Sequence, residues 1–281
     1  MRSLALDDLP EHSAWARYLL DPAGDPPSDP DAYTDIGTYD DIYSHLLGEF
    51  RSGDRSPEAF VRRIYAEGRE DPGPVSIRDD LFLASPAELL ELERFAVADA
   101  LGGVAVEPAT VLDLGCGWGS ALGTVADAFP DATVIGGEYS RHGVELARSL
   151  GVTEGRNGRV SVRQFDLRDE EWDLLDGRSE VLVFTRGTLT TLPDVERVVD
   201  RLARLANGGR VVGGVHLEQV DRHPGTTLGL LRRHYGRVRG YDGAVLAELE
   251  QREGIEVKRV VYDQLGPNPL HPRTLVRWRP A

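Results

Sequence analysis

The sequence predicts an α/β protein: a doubly wound sheet of about seven strands with an antiparallel C-terminal edge pair and a helical N-terminal cap. Three observations lead there. From Thr110 to Val215, short apolar runs alternate with helical stretches, the pattern of a parallel sheet covered by helices on both faces. Two late strand-like runs, 256–263 and 274–279, are joined by a loop bearing Pro267, Pro269 and Pro272 where a crossover helix would otherwise stand, so they pair antiparallel. Residues 1–84 carry short helical patterns separated by breakers, with no such alternation.

Taken in order, residues 11–20 read as a helix, and 21–30 as a loop dense in proline, glycine and aspartate. Residues 39–50 are helical in pattern, with Ile42, Leu46 and Leu47 on one face. Ser56-Pro57-Glu58 starts another helix, with Phe60, Val61, Ile64 and Tyr65 apolar, and Asp71-Pro72-Gly73-Pro74 ends it. Ser85-Pro86-Ala87-Glu88 joins a cap serine to proline at the first helical position and glutamate at the third. That helix runs to about 101, with Leu89, Leu92, Phe95 and Ala96 inward, and Gly102-Gly103 closes it. Strands are expected at 110–114, 133–136, 160–165, 181–184 and 210–215. Helices are expected near 118–128, 141–150, 194–206, 226–235 and 242–253. The chain thus divides into a cap over 1–84 and a ligand-binding domain over 85–281.

The 47 acidic and 32 basic side chains leave a net charge of −15, which disfavours nucleic acid and anionic membrane as partners. Cys116 is the only cysteine, so no internal disulfide forms. No apolar run approaches the ~20 residues of a membrane span, and residues 1–10 hold no apolar signal core. A cytoplasmic protein is expected; a homodimer is left open.

The chain is organised around Val111-Leu112-Asp113-Leu114-Gly115-Cys116-Gly117-Trp118-Gly119-Ser120. A buried strand runs into three alternating glycines, and a helix follows. Glycine reaches positive φ and carries no Cβ, so backbone amides can press against a ligand. Such a turn at the carboxyl end of a parallel strand suits a nucleotide-like cofactor. The spacing is G-x-G-x-G; Ser120 stands where the dinucleotide fingerprint needs its third glycine, which disfavours a nicotinamide oxidoreductase. Lysine is absent from the region, so a P-loop is excluded.

Three further segments follow in order: 134–140 with Glu138 and Tyr139, 164–167 with Asp166 and Leu167, and 181–193 with Thr185 and Arg186. Together with the glycine turn they resemble the motifs of the class I S-adenosylmethionine-dependent methyltransferases, a Rossmann-like family, from about Glu88 to the C-terminus. Residues 202–215, with Asn207-Gly208-Gly209, are similar to the family's helix, glycine turn and fifth strand. The resemblance implies S-adenosyl-L-methionine as cofactor, held by Asp113, Gly115, Gly117 and Gly119. Cys116 would pack beneath it. Glu138 would accept the ribose hydroxyls, and Tyr139 would lie against the adenine. Asp166 would accept the adenine amino group while the Leu167 N–H donates to the ring. The segment after the fourth strand, with Thr185, would meet the methionine end.

The implied activity is methyl transfer to a small-molecule acceptor, a sugar or secondary metabolite, with O-methylation favoured. His216, placed after the fifth strand, is the candidate general base. Arg186 is the candidate grip for a carboxylate of substrate or of methionine. Glu218 is read as a surface acid. His223, His234 and His271 lack metal-ligand spacing, so no metal is assigned. Tyr33, Tyr39, Tyr43 and His45 lie in a segment read as a lid. A cyclase, decarboxylase or aminocarboxypropyl transferase using the same cofactor, and a non-catalytic binding module, stay open as alternatives.

Overall fold

A computed structural model of the chain describes residues 1–22, 25–28, 36–53, 56–65, 71–241 and 243–281. The cap region begins with β1 (Arg2–Leu4), α1 (Leu9–His12) and α2 (Ala14–Leu20). The helix expected over 11–20 is two pieces, because Ser13 is extended and caps α2 by accepting from the Ala16 amide. α3 (Ile36–Ser52) and α4 (Pro57–Tyr65) follow. Then comes a hairpin the sequence reading did not foresee, β2 (Gly73–Ile77) and β3 (Asp80–Ala84), which with β1 makes a small antiparallel sheet in the order β1-β3-β2.

α5 (Pro86–Leu101) opens on Ser85 with a reciprocal capping box to Glu88, as its sequence signature demands. Phe95, expected inward, faces solvent on this helix. The main domain continues through β4 (Thr110–Leu114), α6 (Leu122–Ala128), β5 (Thr133–Glu138), α7 (Arg141–Ser149) and β6 (Val160–Gln164). It is completed by β7 (Val181–Arg186), α8 (Val195–Asn207), β8 (Val211–Glu218), α9 (Thr227–Val238), α10 (Val245–Gln251), β9 (Ile255–Leu265) and β10 (Arg273–Pro280).

The seven-stranded sheet has the order β6-β5-β4-β7-β8-β10-β9. β4 to β8 are parallel, and β10 runs antiparallel to both β8 and β9. Within β4, Val111 points to a core shared with α5, α6 and α7, while Leu112 points to one shared with α8 and α10. Burial on both faces explains why the parallel strands read as continuous apolar runs. The strand order reverses between β4 and β7, and the crevice at that switch point is where an open α/β sheet receives ligands.

The small N-terminal sheet is joined to the far edge of the seven-stranded one. Ser76 and Gly266 exchange two backbone hydrogen bonds of 2.8 Å, which joins β2 to the end of β9. Arg232 of α9 is fully buried and reaches Asp263 at 2.8 Å and Asp79 at 3.1 Å, and it also donates to the carbonyls of Arg78 and Pro269. His223 adds its Nδ1 to Asp263 at 3.0 Å. α3 lies along α7, where Asp40 accepts from Ser140 Oγ at 2.5 Å and faces His142 Nδ1 at 3.1 Å. Among the described residues no helix is long and apolar enough to cross a membrane.

Candidate functional site

β4 ends at Leu114, and Gly115, Gly117 and Gly119 all take positive φ, of 72°, 56° and 82°. The amides of Gly115 and Cys116 donate to the Gly137 carbonyl at 2.8 and 3.1 Å, which ties the turn to the end of β5. There the Glu138 carboxylate is clamped from both sides. Gly117 N–H donates to Oε2 and Ser140 N–H to Oε1, each at 2.8 Å. Burial raises this carboxyl above the usual carboxylate range, and the two amides work against the rise. A Cβ at Gly117 would sit 2.6 Å from the Tyr43 hydroxyl, and one at Gly115 would run into the Thr188 side chain. The turn itself occupies 117–121, so α6 begins four residues later than the sequence reading placed it.

This turn borders a cavity of about 560 Å³. Asp113, Glu138, Tyr139, Phe165, Asp166 and Leu167 line one end. Asp113 is buried, its Oδ2 has no hydrogen-bond partner, and burial pushes its carboxyl up to about 7 against the pull of Arg186. Asp166 is held by Arg168, whose Nε and Nη2 donate at 2.9 and 2.6 Å and keep the acid below its usual range. The same guanidinium lies 5.1 Å from the centre of the Tyr139 ring. Cys116 lines the cavity with its sulfur packed toward Gly136, and burial lifts the thiol far above ordinary values, which makes it inert.

Arg186 also lines the cavity, beside the glycine turn. It donates to Glu93 at 2.7 Å and to the Ser120 hydroxyl. Burial opposes its charge, but Tyr65, Glu93 and Asp113 hold it above its ordinary value. Glu93 is shared with Arg273, at 2.6 Å, and the two arginines outweigh its burial to keep it ionised.

Four sequence expectations are corrected. His216 does not face the cavity: it is fully buried, Trp278 Nε1 donates to its Nε2 at 2.8 Å, and its Nδ1 meets Thr185 Oγ1 at 2.9 Å. Burial drives its pKa down to about 3, so it is a neutral core residue. Thr185 is likewise interior, donating to Glu218 at 2.7 Å, and Thr188 takes the place at the cavity expected for it. Glu218 is no surface acid. Fully buried, it accepts from the amides of Thr188 and Leu189 and from the Thr190 hydroxyl, and so shapes the turn over the site. Gly119 serves the turn rather than the cavity, since a Cβ there would meet Val152 at 2.9 Å.

Of the residues read as a lid, two reach the site, and a second wall was not foreseen. Tyr39 and Tyr43 of α3 line the cavity, whereas His45 is exposed and pairs with Glu49 at 3.7 Å; Tyr33 lies outside the described residues. Trp15, Tyr235, Tyr241, His271 and Arg273 form the end away from Asp166. The sequence holds a signal for the last two. Because β10 is antiparallel, its first residues sit beside the last of β8, with Thr274 opposite Glu218, so the β9–β10 loop arrives at the ligand edge. Among the described residues no three His, Cys, Asp or Glu side chains converge as a metal set.

Residues 111–209 match the family profile described as "Methyltransferase domain". The chain is 33% identical over 104 residues to trans-aconitate 2-methyltransferase of Variovorax paradoxus strain S110, a stretch covering 37% of each protein. The chain therefore spans little more than a third of the length of that curated relative. Among solved structures, magnesium protoporphyrin IX methyltransferase from Synechocystis PCC 6803 with bound SAH is 16% identical, with a TM-score of 0.50 over 68% of this chain and 84% of that one. The mitomycin 7-O-methyltransferase structure is 17% identical, with a TM-score of 0.49 over 96% of this chain and 76% of that one. The Synechocystis likeness shows a shared fold.

Proposed function

We propose, from the premise that residues 111–209 belong to the class I S-adenosylmethionine-dependent methyltransferase family, that this chain moves a methyl group from that cofactor to a small molecule enclosed under its cap. The observation that carries the reading is the Glu138 carboxylate, fixed by the Gly117 and Ser140 amides at the lip of the glycine turn. A carboxylate so held presents its remaining lone pairs to a ribose diol. The unpartnered Oδ2 of buried Asp113 suits a cationic ligand, and the turn leaves no room for a Cβ. These residues fit S-adenosylmethionine.

When bound, the cofactor supplies a sulfonium-activated methyl group. The protein supplies position and dryness. Tyr139 and Phe165 border the adenine end, with Asp166 and the Leu167 amide as its polar partners. Arg186, charged and fixed by Glu93, receives the methionine carboxylate. Tyr39 and Tyr43 of α3 roof the site, which gives residues 1–84 their role as a cap. With His216 in the core, an oxygen acceptor that arrives already ionised suits this cavity best.

Calorimetry of the purified chain with S-adenosylmethionine and S-adenosylhomocysteine tests the reading. Both ligands bind the wild type, and Gly117→Arg, whose side chain fills the turn, weakens both at least 100-fold. Unchanged affinity in that variant removes the cofactor assignment. Mass spectrometry of the spent cofactor identifies the group moved: S-adenosylhomocysteine marks methyl transfer, and methylthioadenosine marks aminocarboxypropyl transfer in its place.

A further inference from the structure

The far end of the cavity differs chemically from the cofactor end. Four rings line it, from four separate segments: Trp15 of α2, Tyr235 of α9, Tyr241 after that helix, and His271 of the β9–β10 loop. Trp15 and Tyr235 meet edge to face at 5.4 Å, and Tyr241 and His271 stack at 4.0 Å. The Arg239 guanidinium lies 4.9 to 5.6 Å from the centres of the Trp15, Tyr241 and Tyr235 rings. Rings gathered from distant segments and held in one wall offer flat apolar faces to a planar ligand. Burial and the nearby arginines keep His271 neutral, so its ring belongs to this aromatic surface.

The charge is divided along the cavity. The acids Asp113, Glu138 and Asp166 belong to the glycine turn and the adenine end. Arg239 and Arg273 accompany the aromatic wall, and Arg186, beside the glycine turn and within the pull of Asp113, stands between the two groups. Arg186 and Arg273 share the single carboxylate of Glu93, which leaves that trio with one positive charge in excess. Arg273 spends Nη1 on Glu93, while its buried Nε has no partner. A Cβ built on Gly187 would lie 3.6 Å from that Nε and 4.0 Å from Gln219 Nε2, so two donors flank one bare stretch of backbone in the cavity wall.

We propose that this end is the acceptor subsite and that it takes a planar aromatic acid: the ring lies against the aromatic wall to which Tyr241 and His271 belong, and the carboxylate is held by Arg273 with Gln219 beside it. This rests on the methyltransferase reading, because Arg186 is thereby left to the cofactor. A guanidinium with an unspent N–H is the group that recognises a carboxylate. Planarity is favoured by the aromatic wall as a whole, against which a saturated ring packs less closely.

The test uses the full chain saturated with S-adenosylhomocysteine. 4-Hydroxybenzoate and 6-hydroxy-2-naphthoate are titrated in by calorimetry or ligand-observed NMR, alongside the amide of each and 4-hydroxycyclohexanecarboxylate. At least one aromatic acid is expected to bind about tenfold or more tightly than both its amide and the saturated acid. Arg273→Gln, measured with S-adenosylhomocysteine raised to saturate that variant, is expected to bring the acid to the affinity of its amide. Tyr241→Ala, which leaves the Glu93 pair intact, is expected to weaken the aromatic acid and leave the saturated one unchanged. Equal affinity for acid and amide overturns the proposal, as does failure of both aromatic acids to bind a cofactor-loaded protein. Failure of S-adenosylhomocysteine itself to bind is a different result: it removes the methyltransferase reading and this subsite with it.

Discussion

Asp113 and His216 are both buried and ionisable, yet they sit on opposite sides of the ligand boundary. Asp113 faces the cavity with its carboxyl raised to about 7. The native protein therefore keeps a proton that the unfolded chain releases near pH 3.8, and this group's contribution to stability is lost as pH rises through 7. A cationic ligand beside it favours the ionised form. Affinity for S-adenosylmethionine should accordingly rise between pH 6 and 8, by up to about tenfold, the change in ionised fraction across a pKa near 7. Calorimetry at both pH values checks this, and in Asp113→Asn the relative change should be markedly smaller. His216 has the opposite role. Removing its ring leaves Trp278 Nε1–H and the Thr185–Glu218 hydroxyl chain without a neighbour. His216→Ala should cost about 3 kcal/mol in urea unfolding. At a temperature where it stays folded, the variant should keep its affinity for S-adenosylmethionine. A variant as stable as wild type but inactive would return His216 to the chemistry.

Among the elements that border the site, α3 touches the glycine turn and the Glu138 clamp together. Its Tyr43 hydroxyl stands over Gly117, and its Asp40 reaches Ser140, the residue whose amide fixes Glu138. α3 and the Glu138 carboxylate are thus one side chain apart. Asp40→Ala should speed release of S-adenosylhomocysteine several-fold in a stopped-flow chase, with a smaller effect on association; an unchanged release rate would show that α3 does not retain the ligand. Elements also set what the sequence could reveal. Runs such as Val111–Leu114 and Val181–Phe184 declared themselves because both faces are buried. The hairpin β2–β3 did not, since it opens on Gly73-Pro74 and turns through Arg78 at φ 55°, with none of the glycine or asparagine that marks a hairpin turn. The misplacement of His216 and Thr185 has one cause. β8 continues to Glu218 and β7 to Arg186, past the ends their apolar runs predict, because polar residues there pair with one another inside the sheet. The acceptor wall was hidden for a further reason: Trp15, Tyr241 and His271 are far apart in sequence, and only the antiparallel course of β10 brings the last of them to the ligand edge.

At the scale of the whole molecule, buried Arg232 ties the β2–β3 hairpin to the main sheet: it pairs with buried Asp263, which His223 also meets, and reaches out to exposed Asp79, beside the Ser76–Gly266 backbone pair. A buried pair is costly to break from one side, because the partner is left charged and dry. Arg232→Met should therefore cost about 3 to 5 kcal/mol in urea unfolding. Hydrogen exchange should show β1, β2 and β3 losing protection before the seven-stranded sheet does. A loss under 1 kcal/mol would mean the hairpin is fastened elsewhere.

The paired backbone hydrogen bonds between Ser76 and Gly266 also bear on how the protein comes into being. A ribosome delivers β2 well before Gly266, with β4 to β9 in between. β2 must therefore wait, unpaired along one edge, until Gly266 has emerged. Folding during synthesis can advance through the central βα units while the β1–β3 sheet remains unfinished. Nascent chains stalled before Gly266 are where a chaperone would find exposed strand edge to protect.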